Sequence, residues 1–389
     1  MHDHARQRRT PRRDSRLLSG APLDPRLASA RPAAGDPVAD GLVAFIPPVR
    51  VLVLGGSDRL RFLQALVAQD LAGLAPGDGV HGALTDDRGR PIADFHLFVL
   101  PEAVLLELPA GRAEEARAAL DARIIADDVR TAWAEGGVVA YEAGDPARLA
   151  AALGLAVDTL AAPAPGVSFA STGGFADGAA ALEEEAVLAT VPAARHAVLR
   201  ASRLGGFGAL RWADGDRMAE LAAAAGRGVT RALSATQLDP LEIAAGRMSG
   251  AELAEAKVWN ELAMMSAVSL SKGCWMGQEI VRRVHVLGET RRLLRGVTLD
   301  TPHGVGWAGA TLEDAGGAAA GTVTRAARAP FLGATIGLAF VSRDASPGAT
   351  LTARRADGTA AAATVHALPF VARRPAGAPE PAWIPRENP

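Results

Sequence analysis

The chain has 389 residues, a formal net charge of -2, 49% hydrophobic residues and only 4% aromatic ones. That length allows two or three domains, and the near-neutral charge gives no global pull toward nucleic acid or an anionic membrane. A single cysteine excludes an intrachain disulfide and a thiolate-only metal cage, and no stretch approaches the ~18 uninterrupted apolar residues of a membrane span. A cytoplasmic location is the expectation, with alanine and the aliphatics supplying most of the packing.

Residues 1–40 are rich in Arg, Pro and Ala without apolar periodicity and read as a disordered extension. An Arg-rich transit peptide is the alternative, against which Asp3, Asp14, Asp24 and Asp36 argue. Val49 to Leu54 reads as a buried strand. Gly55-Gly56-Ser57-Asp58 follows, then a helix with Leu60, Leu63, Leu66 and Val67 inward and Ser57 or Asp58 as N-cap. The layout invites a dinucleotide site, but G-x-G-x-x-G is absent. A hairpin-type turn at Asp87-Arg88-Gly89 leads to a strand from Phe95 to Leu100. Asp94, just ahead of it, is the acid of interest; a cap or an ion-pair partner is the commoner fate of one Asp. A strand over 104–108, a helix over 112–122 and a strand over 128–133 complete a β-rich α+β unit, best built as an antiparallel sheet with helices on one face. Residues 140–200 are alanine-rich and uninformative. Beyond them come a strand, glycine turn and strand between Val198 and Leu210, a short helix over 216–225 and a helical turn over 240–246.

Leu270 to Leu287 reads LSKGCWMGQEIVRRVHVL and holds the sole cysteine, Cys274, and one of two lysines, Lys272. Val268 to Leu270 is expected as a short strand, with Gly273 and Gly277 bracketing a tight turn. A helix from Gln278 would bury Ile280, Val281, Val284 and Leu287 and stop at Gly288. Such a turn aims backbone N–H donors and a helix dipole at an anion, and Lys272 adds a full charge. Two readings of Cys274 stay open: a small buried hydrophobe, or a thiol activated by Lys272 and the helix N-terminus. Glu279 in the first turn complements the dipole. No metal is assigned, since only His285 stands near Cys274 in the chain. From Arg291 on, strand-length segments recur with turns near Gly304, Gly316, Gly333 and Gly348, which suggests a small β-barrel over 291–372. Residues 373–389 read as a disordered tail.

Lys272 to Glu279 resembles the K-G-C-x-x-G-Q-E signature of the YgfZ branch of the folate-binding YgfZ/GcvT family, with Trp275 where that branch usually has Tyr. Arg283 and Gly288 stand where its R-x4-G follows. Arg61-Phe62-Leu63-Gln64, the segment ending at Asp94, and Gly321-Thr322-Val323-Thr324 are similar to further family segments. The resemblance implies an α+β, three-subdomain clover-leaf: a folate-binding region of two subdomains over 41–290 and a C-terminal barrel around a central opening. Tetrahydrofolate or a related reduced folate is the implied cofactor. Trp275 and Met276 would wall the ring, and Lys272, Arg283 and Arg291 would meet the tail carboxylates. Gly273, Gly277, Gln278, Glu279 and Asp94 complete the implied folate set. The implied role is an accessory factor that assembles or repairs Fe–S clusters in client enzymes, one of them tRNA-modifying, with Cys274 as the acting residue. Its partners would be those clients and the assembly machinery, with no direct contact to nucleic acid or membrane. The competing role is a tetrahydrofolate-dependent aminomethyltransferase of the glycine cleavage type. That role implies two successive acids where this chain has Ala93-Asp94, and a glutamate where Ala244 stands. A non-catalytic folate-binding scaffold is the third.

Overall fold

The computed structural model describes residues 35–134, 136–161, 165–169, 197–213, 216–288 and 290–374. Strand-forming runs of alternating aliphatics assemble into two sheets and one barrel. The first sheet comprises β1 (Leu42–Phe45), β7 (Gly137–Ala143), β8 (Gly166–Phe169), β9 (Ala197–Arg200), β10 (Phe207–Ala213) and β11 (Arg231–Leu233), in the order β11-β1-β7-β10-β9-β8. Among the described residues of this sheet, only the β1–β11 pair is parallel. The second comprises β2 (Val49–Gly55), β3 (Gly79–Thr85), β4 (Pro91–Val99), β5 (Val104–Pro109) and β6 (Arg130–Trp133), all antiparallel, in the order β3-β4-β5-β2-β6.

Period-2 alternation divides this second sheet between two cores. Leu52, Leu54, Ala93, Phe95 and Leu97 face a cluster that includes residues of α2 (Arg59–Leu66) and α3 (Ala113–Asp121). Val51, Val53 and Phe98 face the largest core, which the first sheet enters through Val43, Phe45, Val138 and Ala140. That core also takes Leu241, Ala244 and Ala245 of α7 (Ala235–Ala245) and Trp275 of the signature turn. The remaining helices are α1 (Pro37–Asp40), α4 (Pro146–Leu153), α5 (Val157–Ala161), α6 (Arg217–Ala223), α8 (Gly250–Glu255) and α9 (Gln278–Leu287).

The closed barrel runs β12-β15-β14-β13-β16-β17, from β12 (Arg292–Leu299) through β13 (Thr311–Glu313), β14 (Ala319–Ala329), β15 (Ala334–Ser342) and β16 (Thr350–Arg354) to β17 (Ala360–His366). Its interior is filled by Val297, Leu312, Val323, Val341 and Val365. Leu294, Ile336, Leu338 and Phe340 instead face the shared core and fasten the barrel to the sheets. Among the described residues no helix is long and apolar enough to cross a membrane.

Several sequence expectations shift. The segment read as disordered to residue 40 is structured from 35: Asp36 caps α1 through Val38 N and Ala39 N, and Val38 is fully buried. Arg373, assigned to a disordered tail, is also buried, and its guanidinium pairs with Asp36 at 2.8 Å. Residues 1–34 and 375–389 lie outside the described residues. Asp94 sits inside a strand rather than ahead of one, because β4 begins at Pro91. Helix α7 starts five residues before Pro240, its first turn held by the Ser234–Gln237 capping box. Val268–Leu270 forms no strand; the N–H of Ser269 donates to Ala68 O instead, 2.8 Å away.

Candidate functional site

Two regions carry chemistry. The first is the turn that resembles the signature. Lys272 and Cys274 stand two residues apart and go opposite ways: Lys272 is buried, whereas Cys274 is exposed. The Lys272 ammonium donates to the carbonyls of Gln64 (2.6 Å), Val67 (2.9 Å) and Gln69 (2.9 Å), which close the C-terminal end of α2. Gln64 Oε1 lies 3.3 Å away as a fourth acceptor. Burial lowers the lysine from its usual value to about 8.

The other signature residues divide between mount and surface. Trp275 packs into the shared core and Met276 into the cluster beneath the second sheet, so neighbouring side chains anchor the turn in two cores. Gly277 takes φ +85° with its backbone against the β3–β4 hairpin; a Cβ there would stand 2.4 Å from Asp86 O. Thr85 Oγ1 donates to Met276 O at 2.5 Å, and Asn260 Nδ2 donates to Val281 O at 3.2 Å. Gln278 donates back to Gly273 O at 3.4 Å. Glu279 and Arg283 form an exposed one-turn ion pair at 2.8 Å on α9. Arg291 is exposed at the start of the barrel. Gly273 is exposed and a Cβ there would meet nothing within 4 Å, so open space surrounds the thiol's side of the turn.

These positions revise the tail-binding set. The Lys272 donors are occupied by carbonyls, and Arg283 is turned to Glu279 on the surface. Trp275 and Met276 point into protein cores, where they serve as anchors. Trp275 Nε1 is nonetheless a buried donor without a hydrogen-bond partner.

The second region is a chain of buried charges at the meeting of the second sheet, the β9–β10 connection, α7 and barrel strand β14. Asp94 pairs with Arg247 at 3.1 Å and approaches His81 Nε2 at 3.4 Å, all three essentially without solvent. The ring of His81 packs, tilted by 49°, against that of its cross-strand partner His96 at 5.3 Å, and His96 Nδ1 bonds Glu107 on β5. Glu107 in turn pairs with Arg203, and Arg203 reaches Glu242 of α7 at 3.5 Å. Arg325 of β14 closes the chain, 3.4 Å from Glu242.

Burial favours the neutral form of each group, yet paired charges reverse this for the acids. Arg247 and His81 hold Asp94 well below the carboxylate range despite burial. Arg203 and His96 likewise hold Glu107 at about 2. For His81 burial prevails and lowers it to about 4, so it is neutral at pH 7. Asp94 Oδ1, His81 Nδ1 and Arg203 Nε remain buried without a hydrogen-bond partner, while Glu242 Oε1 is met by the Arg203 guanidinium at 3.5 Å. These polar atoms concentrate in one buried cluster, where a bound polar group or ordered water would complete their hydrogen bonding.

Sequence reasoning singled out Asp94 alone from this cluster. The signal for one more was present: His96 stands two residues after Asp94 in an otherwise apolar strand, hence on the same face. Arg203, Glu242 and Arg247 come from other elements, and only the fold brings them there.

Residues 291–372 match the family described as the glycine cleavage T-protein C-terminal barrel domain. The fold resembles that of the glycine cleavage system aminomethyltransferase T from Bartonella henselae, with a TM-score of 0.67 at 20% identity over 87% of this chain and 88% of that one. Together they define a protein of the aminomethyltransferase fold with a glycine-cleavage-type barrel. A stretch of 113 residues is 35% identical to the mitochondrial aminomethyltransferase of Mesembryanthemum crystallinum, and 76 residues are 40% identical to that of Gallus gallus. Those matches span 26% and 19% of the two relatives' own lengths.

Proposed function

We propose that this chain binds a reduced folate in the buried charged cluster and acts as an accessory factor for Fe–S clusters of client enzymes through Cys274. The observation that carries this reading is the division of labour in the turn. Its lysine, tryptophan, methionine and second glycine are committed to holding it, while the thiol stands exposed beside an uncrowded glycine. A rigid mount under one exposed nucleophile suits a residue that must meet another protein's group.

The folate part rests on fold and fit. A pterin presents several N–H donors and ring acceptors, and the cluster offers the acceptor Asp94 Oδ1 with the donor Arg203 Nε. When bound, tetrahydrofolate would supply a one-carbon acceptor. The residues' part is to orient it and exclude water. A single thiol cannot hold a cluster alone, so Cys274 would act with ligands supplied by its partner.

The identity to aminomethyltransferases and the ionised Asp94 favour a second reading, folate-dependent aminomethyl transfer. Two positions weigh against it. Ala93 faces the apolar cluster beneath the sheet, opposite to Asp94, and Ala244 is fully buried in the shared core with its carbonyl taken by Phe370 N. The deciding experiment compares Fe–S enzyme activities in cells carrying wild type or Cys274→Ala at equal protein levels. Reduced client activity with the variant is expected. Unchanged client activity, together with turnover of an aminomethyl-lipoyl carrier by the purified protein, would overturn the proposal in favour of the second reading.

A further inference from the structure

We infer that Lys272 is the positioning residue of the Cys274 thiol: its ammonium is a tethered cation seated in a cage of backbone carbonyls, and that seat fixes the turn from which the thiol projects. The inference stands on the geometry of the isolated chain, whatever Cys274 meets in the cell.

An ammonium has three N–H donors and no acceptor, and here three backbone carbonyls converge on it, from Gln64, Val67 and Gln69. Carbonyls at the C-terminal end of a helix lack intrahelical donors and carry the negative end of its dipole. The cation therefore answers a need of the α2 terminus: it meets the carbonyls of Gln64 in the last turn and of Val67 at the C-cap, together with that of Gln69 just beyond. The carboxylate that acts on it is Asp70 just beyond the helix, itself lowered chiefly by the Ala72 N–H and less by the lysine.

The two segments are stitched together around the seat. Ser269 N donates to Ala68 O at 2.8 Å, Gln69 Nε2 donates to Ser266 O at 3.0 Å, and Lys272 N donates to Ser269 Oγ at 3.2 Å. Four acceptors within 3.3 Å form a cage of the size that holds a free ammonium ion. A planar guanidinium cannot converge on such a cage, so arginine, the usual cation of this chain, does not replace lysine there.

Two measurements test this. The chain has only two lysines, and Lys257 is exposed, so amine-selective acetylation of wild type followed by peptide mapping compares them directly. Lys272 should react at least about tenfold more slowly than Lys257; equal rates would overturn the seat, and this arm needs no variant to fold. In Lys272→Met, the rate of Cys274 alkylation by iodoacetamide should change at least about fivefold. Ammonium chloride should restore it saturably, while sodium or tetramethylammonium chloride at equal ionic strength should not. An unchanged thiol rate overturns the inference. A changed rate that ammonium fails to restore also overturns it, by assigning Lys272 a general stabilising role.

Discussion

The signature turn and the buried charged cluster solve opposite problems. In the turn, the buried ammonium is satisfied by backbone carbonyls and the thiol is left in the open. In the cluster, charges are removed from water, and several polar atoms are left without partners. A site that must meet another macromolecule needs exposure and rigidity. A site that must recognise a small polar ring needs burial and unmet hydrogen-bonding capacity. Substitutions in the two regions should therefore have opposite signatures.

The largest effect is expected in the cluster. Arg203 stands between Glu107 and Glu242, so Arg203→Met leaves two buried carboxylates without that cation and should cost about 3–5 kcal/mol in urea unfolding. A loss below about 1 kcal/mol would mean that water reaches the cluster. Next comes the mount. Gly277→Ala combines a left-handed φ with a clash against Asp86 O and should cost about 2–4 kcal/mol.

Acidification gives a third, smaller signal. His81 is neutral in the fold, lowered to about 4 by burial, whereas in the unfolded chain it protonates near 6.5. Its contribution is thus fully present above pH 6.5 and should fall by about 1 kcal/mol per pH unit down to about 4. Burial lowers His96 too and adds to the same window. Urea midpoints at pH 7, 6 and 5 would show the slope, and His81→Gln should flatten part of it. The smallest effects belong to the open side of the turn. Cys274→Ala and Gly273→Ala should each change stability by less than about 0.5 kcal/mol, yet Gly273→Ala should slow the reaction of Cys274 with a bulky thiol reagent.

Legibility followed the same divide. Continuous features could be read from the chain: the alternating strands of the second sheet, α9 from Gln278 to Gly288, and the turn-punctuated barrel. The turn residues were found because they are adjacent in sequence. Their roles were not, since whether Lys272 faces a ligand or the end of α2 depends on packing across some two hundred residues. The cluster was nearly invisible for the same reason. Arg203, Glu242 and Arg247 lie on a connection, in a helix and just past its end, with nothing local to distinguish them from surface charges. The Ser234–Gln237 capping box was legible in principle but was masked by Pro240, a residue that ordinarily marks a helix start.

The central claim is that ligand recognition resides in the cluster and partner chemistry in the thiol. Calorimetric titration of tetrahydrofolate into wild type, Cys274→Ala and Asp94→Asn tests it most directly. Binding should be unchanged in Cys274→Ala and weakened at least about tenfold in Asp94→Asn. Binding that fails in Cys274→Ala while persisting in Asp94→Asn would contradict the account.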